Sequence, residues 1–256
     1  MTKLTRTMSS SLYPKKWTYS TWLKRGNMND EYYILYAADG GATNKTHVTI
    51  VAGTGVMRIY NTLSSSTSNN LITRRAFRDP SAWYHIVVIW DTANVTTGDR
   101  IRLYINGVRE TDFTTETLND ENGTINTAVE HQISGYNSTS PILGVMAHTH
   151  FCDNQTYDAS YFGETDSTTG VWVPNTSPSV TYGTNGFFLK YAAGAHGTDS
   201  SGESNDFTVG GTATNTKDTP HNNFATMNPL INYYQGSPSF TNGNTTVTTV
   251  ASKYAP

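Results

Sequence analysis

Apolar and polar residues alternate in short runs along most of the chain, and clusters of Gly, Asn, Ser, Thr and Asp separate these runs. A period of two places successive side chains on opposite faces of a strand, so the pattern predicts β-strands between residues 17 and 162. The clearest alternating runs are WTYSTWLKR (17–25), EYYILYAAD (31–39), THVTIVAG (46–53), VMRIYNT (56–62), HQISGY (131–136) and PILGVMAHTHFCD (141–153). We find no amphipathic helical pattern in this region and predict an all-β antiparallel sandwich or barrel.

One run differs from the others because WYHIVVIWD (83–91) is almost continuously apolar. Such a strand is typical of a position in which both faces are covered. We therefore predict that it lies at the centre of a sheet.

After Gly163 the alternation gives way to isolated aromatic residues among Gly, Asn, Ser and Asp. We divide the chain into an N-terminal arm (1–15), a strand-rich domain (16–163) and a mostly irregular C-terminal segment (164–256) that aromatic side chains pin in place. The candidate anchors are Trp172, Phe187 and Phe188. Two interpretations stay open for them, namely packing within one chain or docking between subunits of a homo-oligomer.

The stretch RLYINGVRETDF (102–113) predicts a β-hairpin, because Asn and Gly both tolerate the positive φ that tight turns need. A two-residue Asn-Gly loop would pair Tyr104 with Arg109 and put Glu110 and Asp112 on the apolar face. A three-residue loop with a bulge would instead pair Tyr104 with Glu110 and Arg102 with Asp112. We favour the three-residue loop, since burying the two carboxylates is costly.

The composition narrows the functional classes. Only 14% of the residues are charged and the net charge is −3, so the totals indicate no basic surface for nucleic acid or anionic lipid. A single cysteine, Cys152, excludes an intrachain disulfide and a thiolate metal cluster. We find no apolar signal region at the N-terminus and no run long enough for a membrane helix, and we expect synthesis in a cytoplasm without membrane insertion.

The order of the runs resembles a known superfamily. WTYSTWLKR, the opening WYH of the buried run, RLYINGV and GVMAHTHF together resemble the laminin-G-like, concanavalin A-like lectin and glucanase superfamily over residues 14–163. The resemblance implies a jelly-roll sandwich of two antiparallel sheets over 16–163. It implies no particular activity.

A second resemblance covers more of the chain. The blocks FRDPSAWYHIVV (77–88), FCDNQTYDASYFGETDSTTGVWVP (151–174), YGTNGFFL (182–189), DSSGESNDFTV (199–209) and DTPHNNFATMNPL (218–230) resemble structural proteins of marine bacteriophages of the cyanophage type. The resemblance implies a virion component, such as a fibre, an appendage or a head decoration. Other virion proteins are then the expected partners, and a host-surface glycan is a second expected partner.

The glucanase members of the superfamily carry their catalytic carboxylates in an E-x-D-x-x-E string, which this chain lacks. The nearest acidic groups, at 29–31, 119–121 and 164–166, lie in predicted turns where neighbouring carboxylates point apart. We therefore expect no enzyme activity. A free carbohydrate-binding module and, less favoured, a polysaccharide-degrading enzyme are the alternatives.

Two kinds of binding site can be suggested from residue types. Exposed aromatic rings stack on sugars while polar neighbours bond the hydroxyls, and the candidates on strand faces are Trp22, Tyr36, Tyr60, Arg102 and Tyr104. The spacing of His148 and His150, with Asp153 nearby, is a weak candidate for a transition-metal site. We expect no cofactor, although superfamily relatives often bind calcium, a ligand that this sequence does not specify.

Overall fold

The computed structural model describes residues 2–10, 12–26, 28–41, 43–136, 144–224, 239–241 and 246–248. Its strands are β1 Lys3–Thr7, β2 Lys16–Arg25, β3 Tyr32–Ala38, β4 Lys45–Ile50, β5 Val56–Leu63, β6 Ser66–Ala76, β7 Trp83–Asp91, β8 Ile101–Ile105, β9 Val108–Arg109, β10 Phe113–Thr117, β11 Glu130–Ile133, β12 Gly144–Asp153, β13 Gly163–Thr165, β14 Trp172–Pro174, β15 Phe187–Leu189, β16 Thr208–Gly210, β17 Ser239–Thr241 and β18 Thr246–Thr248. Two short 3-10 turns, Thr97–Asp99 and Ala159–Tyr161, are the helical elements among these residues. Neither of them has the length and apolar character of a membrane-spanning helix.

Two antiparallel sheets form the body of the protein, as predicted. The eight-stranded sheet has the order β10-β6-β5-β4-β3-β11-β1-β16, and the six-stranded sheet has the order β15-β12-β2-β7-β8-β9. The inward side chains of both sheets build one core, in which Trp17 stacks on Trp90 with ring centroids 5.5 Å apart. The prediction for residues 83–91 is confirmed, because β7 lies between β2 and β8 and its residues 85–90 are buried.

The segments outside the predicted sandwich also contribute strands. Residues 3–7, placed by the sequence in an N-terminal arm, pair with both β11 and β16, and Leu4 lies in the core. In the C-terminal segment β15 and β16 extend the two sheets, while β13 pairs with β14. β17 and β18, further along this segment, pair with each other.

The favoured three-residue hairpin loop is wrong. Tyr104 pairs with Arg109, and Asn106 and Gly107 have φ values of 50° and 84°, which gives the two-residue loop. β9 ends at Arg109 and the chain then crosses to the other sheet, so the Asp112 carboxylate stays exposed while the Glu110 side chain, 8% exposed, is buried beside an arginine. There Glu110 pairs with Arg75, with Nε 3.2 Å from Oε2, and Asp112 pairs with Arg74, with Nε 2.9 Å from Oδ1. The expected pairing of Arg102 with Asp112 is therefore not formed, and Arg74 takes the place of Arg102.

Candidate functional site

The outer face of the eight-stranded sheet carries a row of side chains in which every strand is represented. Strand register aligns these residues as Thr208, Thr5, Gln132, Tyr36, His47, Tyr60, Asn70 and Thr117. Their neighbours along the strands, such as Leu35, Val48 and Ile59, point into the core. Because successive side chains of a strand alternate between faces, the row faces away from the core.

Aromatic rings cluster at the centre of this row. Tyr33 stacks on Tyr136 at 4.8 Å, Tyr36 meets Tyr136 edge-on at 4.8 Å, and His47 lies 5.3 Å from Tyr33 and 5.2 Å from Tyr60. We call these five residues the aromatic patch. Tyr36 and His47 are only 4% and 5% exposed, whereas Tyr33, Tyr60 and Tyr136 are partly exposed. The patch therefore consists of two buried supporting rings and three rings that reach the surface.

Buried polar atoms without hydrogen-bond partners lie in and beside the patch. Among the described residues, Nδ1 of His47, Oγ1 of Thr49 and Oε1 of Gln132 have no partner. Thr49 is paired with Tyr33 in the sheet, and Gln132 is paired with Tyr36. Buried polar groups in folded proteins nearly always have a partner, so these three atoms are available to bond to water or to the hydroxyl groups of a ligand.

Two ionisable groups of the patch, His47 and Tyr36, are neutral over the physiological range. Burial, helped by the charges of Arg58 and Lys45, lowers the pKa of His47 to about 3. Burial and the neighbouring Tyr136 phenol raise the pKa of Tyr36 to about 12. The patch accordingly offers the neutral imidazole of His47 and the neutral phenol of Tyr36. Each of them can both donate and accept a hydrogen bond with the hydroxyl groups of a ligand.

The positively charged side chain of Arg58 lies beside Tyr60, on the β5 side of the patch. The guanidinium of Arg58 sits 3.7 Å from the ring centroid of Tyr60, and its Nε donates to Oδ1 of Asn70 at 3.0 Å. The Tyr60 hydroxyl shares a hydrogen bond of 2.8 Å with Thr67. Both ring and guanidinium are thus held in fixed orientations.

The structure separates the five predicted sugar-binding residues. Tyr36 and Tyr60 lie in the row described above, but Trp22, Arg102 and Tyr104 belong to β2 and β8 of the six-stranded sheet. Trp22 is 2% exposed and stacks on His85 at 4.7 Å, so it cannot present a platform to a sugar. Sequence reasoning missed Tyr33, His47, Arg58 and Tyr136, although His47 and Arg58 fall on the alternating positions of their runs.

Residues of the C-terminal half cover the outer face of the six-stranded sheet. Val87, Ile89 and Cys152 form a second apolar cluster with Ala159 and Phe162, and further partly buried side chains pack against it. Those side chains are Tyr104, Tyr157, Trp172, Val180 and Tyr182. Burial also raises the pKa of the Cys152 thiol, which keeps it protonated and unreactive.

A serine–histidine pair lies beneath these C-terminal residues, but the hydrogen bond between the two side chains runs in the wrong direction for catalysis. Ser20 Oγ is 2.9 Å from Nε2 of His85, and Nδ1 of His85 accepts a hydrogen bond from the indole of Trp172 at 2.9 Å. Burial, and then His148, lowers the pKa of His85 to about 3, so the ring is neutral. Its single proton must be on Nε2, because Nδ1 accepts, and Nε2 therefore donates to Ser20 and cannot act as its base.

The suggested metal site does not form. A bulge between Ala147 and His150 places His148 in a left-handed conformation (φ 46°), and the rings of His148 and His150 both stack on Phe188. Asp153 points to the opposite, inner face, where Asn126 donates to its carboxylate at 2.7 Å. The three side chains hence cannot share one ion.

Acidic side chains that could bind calcium are likewise separated from one another in the described part of the chain. Across the described ranges, no three His, Cys, Asp or Glu side chains come together in a geometry that could hold a metal ion. The turn carboxylates of Asp39, Asp166 and Asp199 already accept hydrogen bonds from their own loops. The donor sets of these loops thus do not fit a carboxylate calcium cage.

The candidate assembly residues make their contacts within the chain. Phe187 is fully buried and stacks on Phe151 at 5.5 Å, and Phe188 stacks on His150 at 3.9 Å. Trp172 packs on the backbone of Gly163 and bonds to His85. These contacts correspond to the intrachain interpretation of the aromatic anchors.

Comparisons with known proteins bear on the fold. The model of the family Laminin_G_3, described as the concanavalin A-like lectin/glucanases superfamily, matches residues 3–160. A search of curated proteins found no similar sequence.

Several solved structures are similar at low identity. A putative carbohydrate-binding protein from Bacteroides ovatus is 12% identical with a TM-score of 0.49, over 86% of this chain and 58% of that one. The heptameric SAP-like pentraxin from Limulus polyphemus is 14% identical with a TM-score of 0.44, over 61% and 72%. Domains LG4-5 of the mouse laminin alpha1 chain are 8% identical with a TM-score of 0.42, over 73% and 44%. These similarities assign no ligand.

Proposed function

The chain belongs to the concanavalin A-like lectin/glucanase superfamily, and on that premise we propose that it is a carbohydrate-binding protein whose binding surface is the aromatic patch. Partly exposed tyrosine rings beside buried polar atoms without partners are the observation that carries the proposal. A sugar ring stacked on Tyr33 or Tyr60 would bring its hydroxyl groups to the polar atoms of the row. Binding by this surface needs no metal ion.

The proposal is tested by removing the rings that reach the surface. We expect Tyr60→Ala and Tyr33→Ala each to weaken binding to a glycan found on an array by about tenfold, because each removes a stacking platform. Tyr13→Ala is the matched control, since the Tyr13 side chain is 43% exposed and lies away from the patch. The array is run with calcium and with a chelator. An array without signal under both conditions, or equal loss in all three variants, would refute the proposal.

We propose further that the protein binds sugar without cleaving it. The support is the donor role of His85 towards Ser20, together with the missing E-x-D-x-x-E string. Incubation with host or algal polysaccharide should release no reducing ends above the level of a heat-denatured sample. Release that depends on the folded protein would overturn this part.

A role in a virion is a more specific proposal, and its support is the resemblance of several ordered sequence blocks to structural proteins of marine bacteriophages. In this role the sandwich presents the aromatic patch to a host-surface glycan, and homo-oligomers or other virion proteins provide the attachment. Mass spectrometry of gradient-purified phage particles should then detect the chain, and light scattering should give a mass above that of one chain. Its absence from particles would remove the virion role and leave the free binding module.

A further inference from the structure

Arg58 is a fixed guanidinium without an anionic partner. Its position is set by the Tyr60 ring and by the bond from Nε to Asn70, which leaves both terminal nitrogens without an acceptor among the described residues. The ion pairs found in the described part of the chain do not include Arg58 or Lys45. The remaining residues contain no Asp or Glu, so no further acidic side chain can neutralise these cations.

The charges around the patch are distributed unevenly. Lys45 on β4 and Arg58 on β5 flank His47, and the charges of both act on its imidazole. The nearby carboxylates lie at the β3 and β11 side. Asp39 is bonded by Thr43 and Asn44, Glu130 is bonded by Gln132, and Glu31 is hydrogen-bonded with Tyr33 of the patch. One end of the row is therefore cationic, and the carboxylates at the other end already have donors.

A planar guanidinium with two free terminal nitrogens matches the oxygen pairs of a carboxylate or sulfate. Holding it over an aromatic ring in advance lowers the ordering cost when the anion binds. We infer that the ligand of the aromatic patch is an acidic saccharide, with its carboxylate or sulfate on Arg58 and a sugar ring against the tyrosines. This inference rests on the proposed function and adds the class of sugar.

The test compares acidic and neutral forms of the same backbone by calorimetric titration. Oligogalacturonate and its fully methyl-esterified form are the carboxylate pair, while sulfated dextran and dextran are the sulfate pair. We expect wild-type protein to bind at least one acidic form about tenfold more tightly than its neutral counterpart, with binding that weakens as salt rises. The pair in which the acidic form binds more tightly shows whether the site takes a carboxylate or a sulfate.

Three variants locate the effect. Arg58→Gln should abolish the preference, so that the acidic and neutral forms bind the variant with equal affinity. Arg58→Lys keeps the charge but not the planar pair of donors, and should retain only part of the preference. Arg74→Gln is the control, because it removes the same charge from an exposed residue paired with Asp112 and should change nothing. Thermal unfolding of each variant verifies folding.

The outcomes separate this inference from the proposed function. Equal affinity for acidic and neutral forms, or an acidic preference that Arg58→Gln leaves intact, would overturn the inference while sugar binding stands. If none of the four saccharides binds and Tyr60→Ala changes no array signal, the proposed function and the inference fail together.

Discussion

His47 shows how a single residue of the patch differs from an ordinary core residue. His47 is only 5% exposed, yet its Nδ1 atom has no hydrogen-bond partner among the described residues. A buried polar atom left in this state lowers the stability of the folded protein by about 1–3 kcal/mol. This loss of folding stability has a physical reason if Nδ1 forms a hydrogen bond with a bound ligand.

Replacing this ring tests that interpretation. We expect His47→Phe to leave the free energy of unfolding unchanged or to raise it by about 1 kcal/mol, because a phenyl ring fills the same place without an unsatisfied nitrogen. The same variant should weaken sugar binding. Urea unfolding and the glycan assay measure the two effects. A loss of stability above about 2 kcal/mol would mean that Nδ1 has a bonding role in the free protein.

At the scale of elements, Trp172 holds β14 against the six-stranded sheet through close contact with backbone. A Cβ atom on Gly163 would lie 2.6 Å from the Trp172 ring, which is closer than real Cβ contacts allow. We expect Gly163→Ala to destabilise the protein by about 1–3 kcal/mol. It should also speed proteolysis in the C-terminal segment.

Gly98→Ala is the matched control for this variant, because a Cβ atom at Gly98 meets nothing within 4 Å. The two variants are compared by urea unfolding and by limited digestion at equal protein concentration. Similar behaviour of both would show that the Trp172 contact does not hold the segment.

The C-terminal segment is also attached at the end of β2 by a buried ion pair. Nζ of Lys24 lies 2.6 Å from Oδ2 of Asp218, and the other carboxylate oxygen accepts from the Trp83 indole at 2.9 Å. We expect Asp218→Ala to cost about 3–5 kcal/mol, because it leaves a buried ammonium without its counter-ion. Urea unfolding measures the loss. The exposed pair of Arg74 and Asp112 gives the control, as Asp112→Ala should cost under about 1 kcal/mol.

The elements also show which parts of the structure the sequence specifies. Period-two runs located β2 to β5, β11 and β12, and the apolar run 83–91 identified an interior strand, but no run predicted β6 (Ser66–Ala76). Face assignment failed where a bulge intervenes: the register shift between Tyr33 and Leu35 puts Tyr33 and Tyr36 on the same face, although their spacing predicts opposite faces. The extra residue leaves no mark in the pattern, so the aromatic patch could not be assembled from the sequence.

The hairpin failed for a related reason. Its register was judged from the cost of putting Glu110 on an apolar face, which assumes that the second strand continues. The strand stops after two residues, and Glu110 bonds instead to Arg75 of the other sheet. Long-range contacts of this kind depend on the whole fold, which local alternation does not encode.

At the scale of the whole molecule, the two sheets have different surroundings. The six-stranded sheet is covered on its outer face by residues that follow β12, which buries His85 and His150 along with Val87. The eight-stranded sheet carries the partly exposed tyrosines and the unpaired Arg58. Predicted sugar-binding residues were placed on both sheets, and on the six-stranded sheet Trp22 is buried and Tyr104 packs against the C-terminal cover.

Buried imidazoles throughout the molecule make its stability depend on pH. Burial is the first cause that lowers the pKa of His47 and His85 to about 3 and that of His131 and His148 to about 4, and it also lowers the pKa of His150. In the unfolded chain each imidazole titrates near about 6.5. Between these values the unfolded chain binds protons that the folded protein does not.

The free energy of unfolding should therefore change little between about pH 7 and 8 and should fall as pH decreases from about 6.5 towards 4. Each buried histidine contributes up to about 1.4 kcal/mol per pH unit, so several together can exhaust an ordinary stability of about 5–15 kcal/mol within a few units. Urea midpoints measured from pH 8 to about 5 should show this decline. His85→Gln should make the slope shallower because one proton-binding site of the unfolded chain is lost. A midpoint independent of pH would show that these imidazoles accept protons in the folded protein as readily as in the unfolded chain.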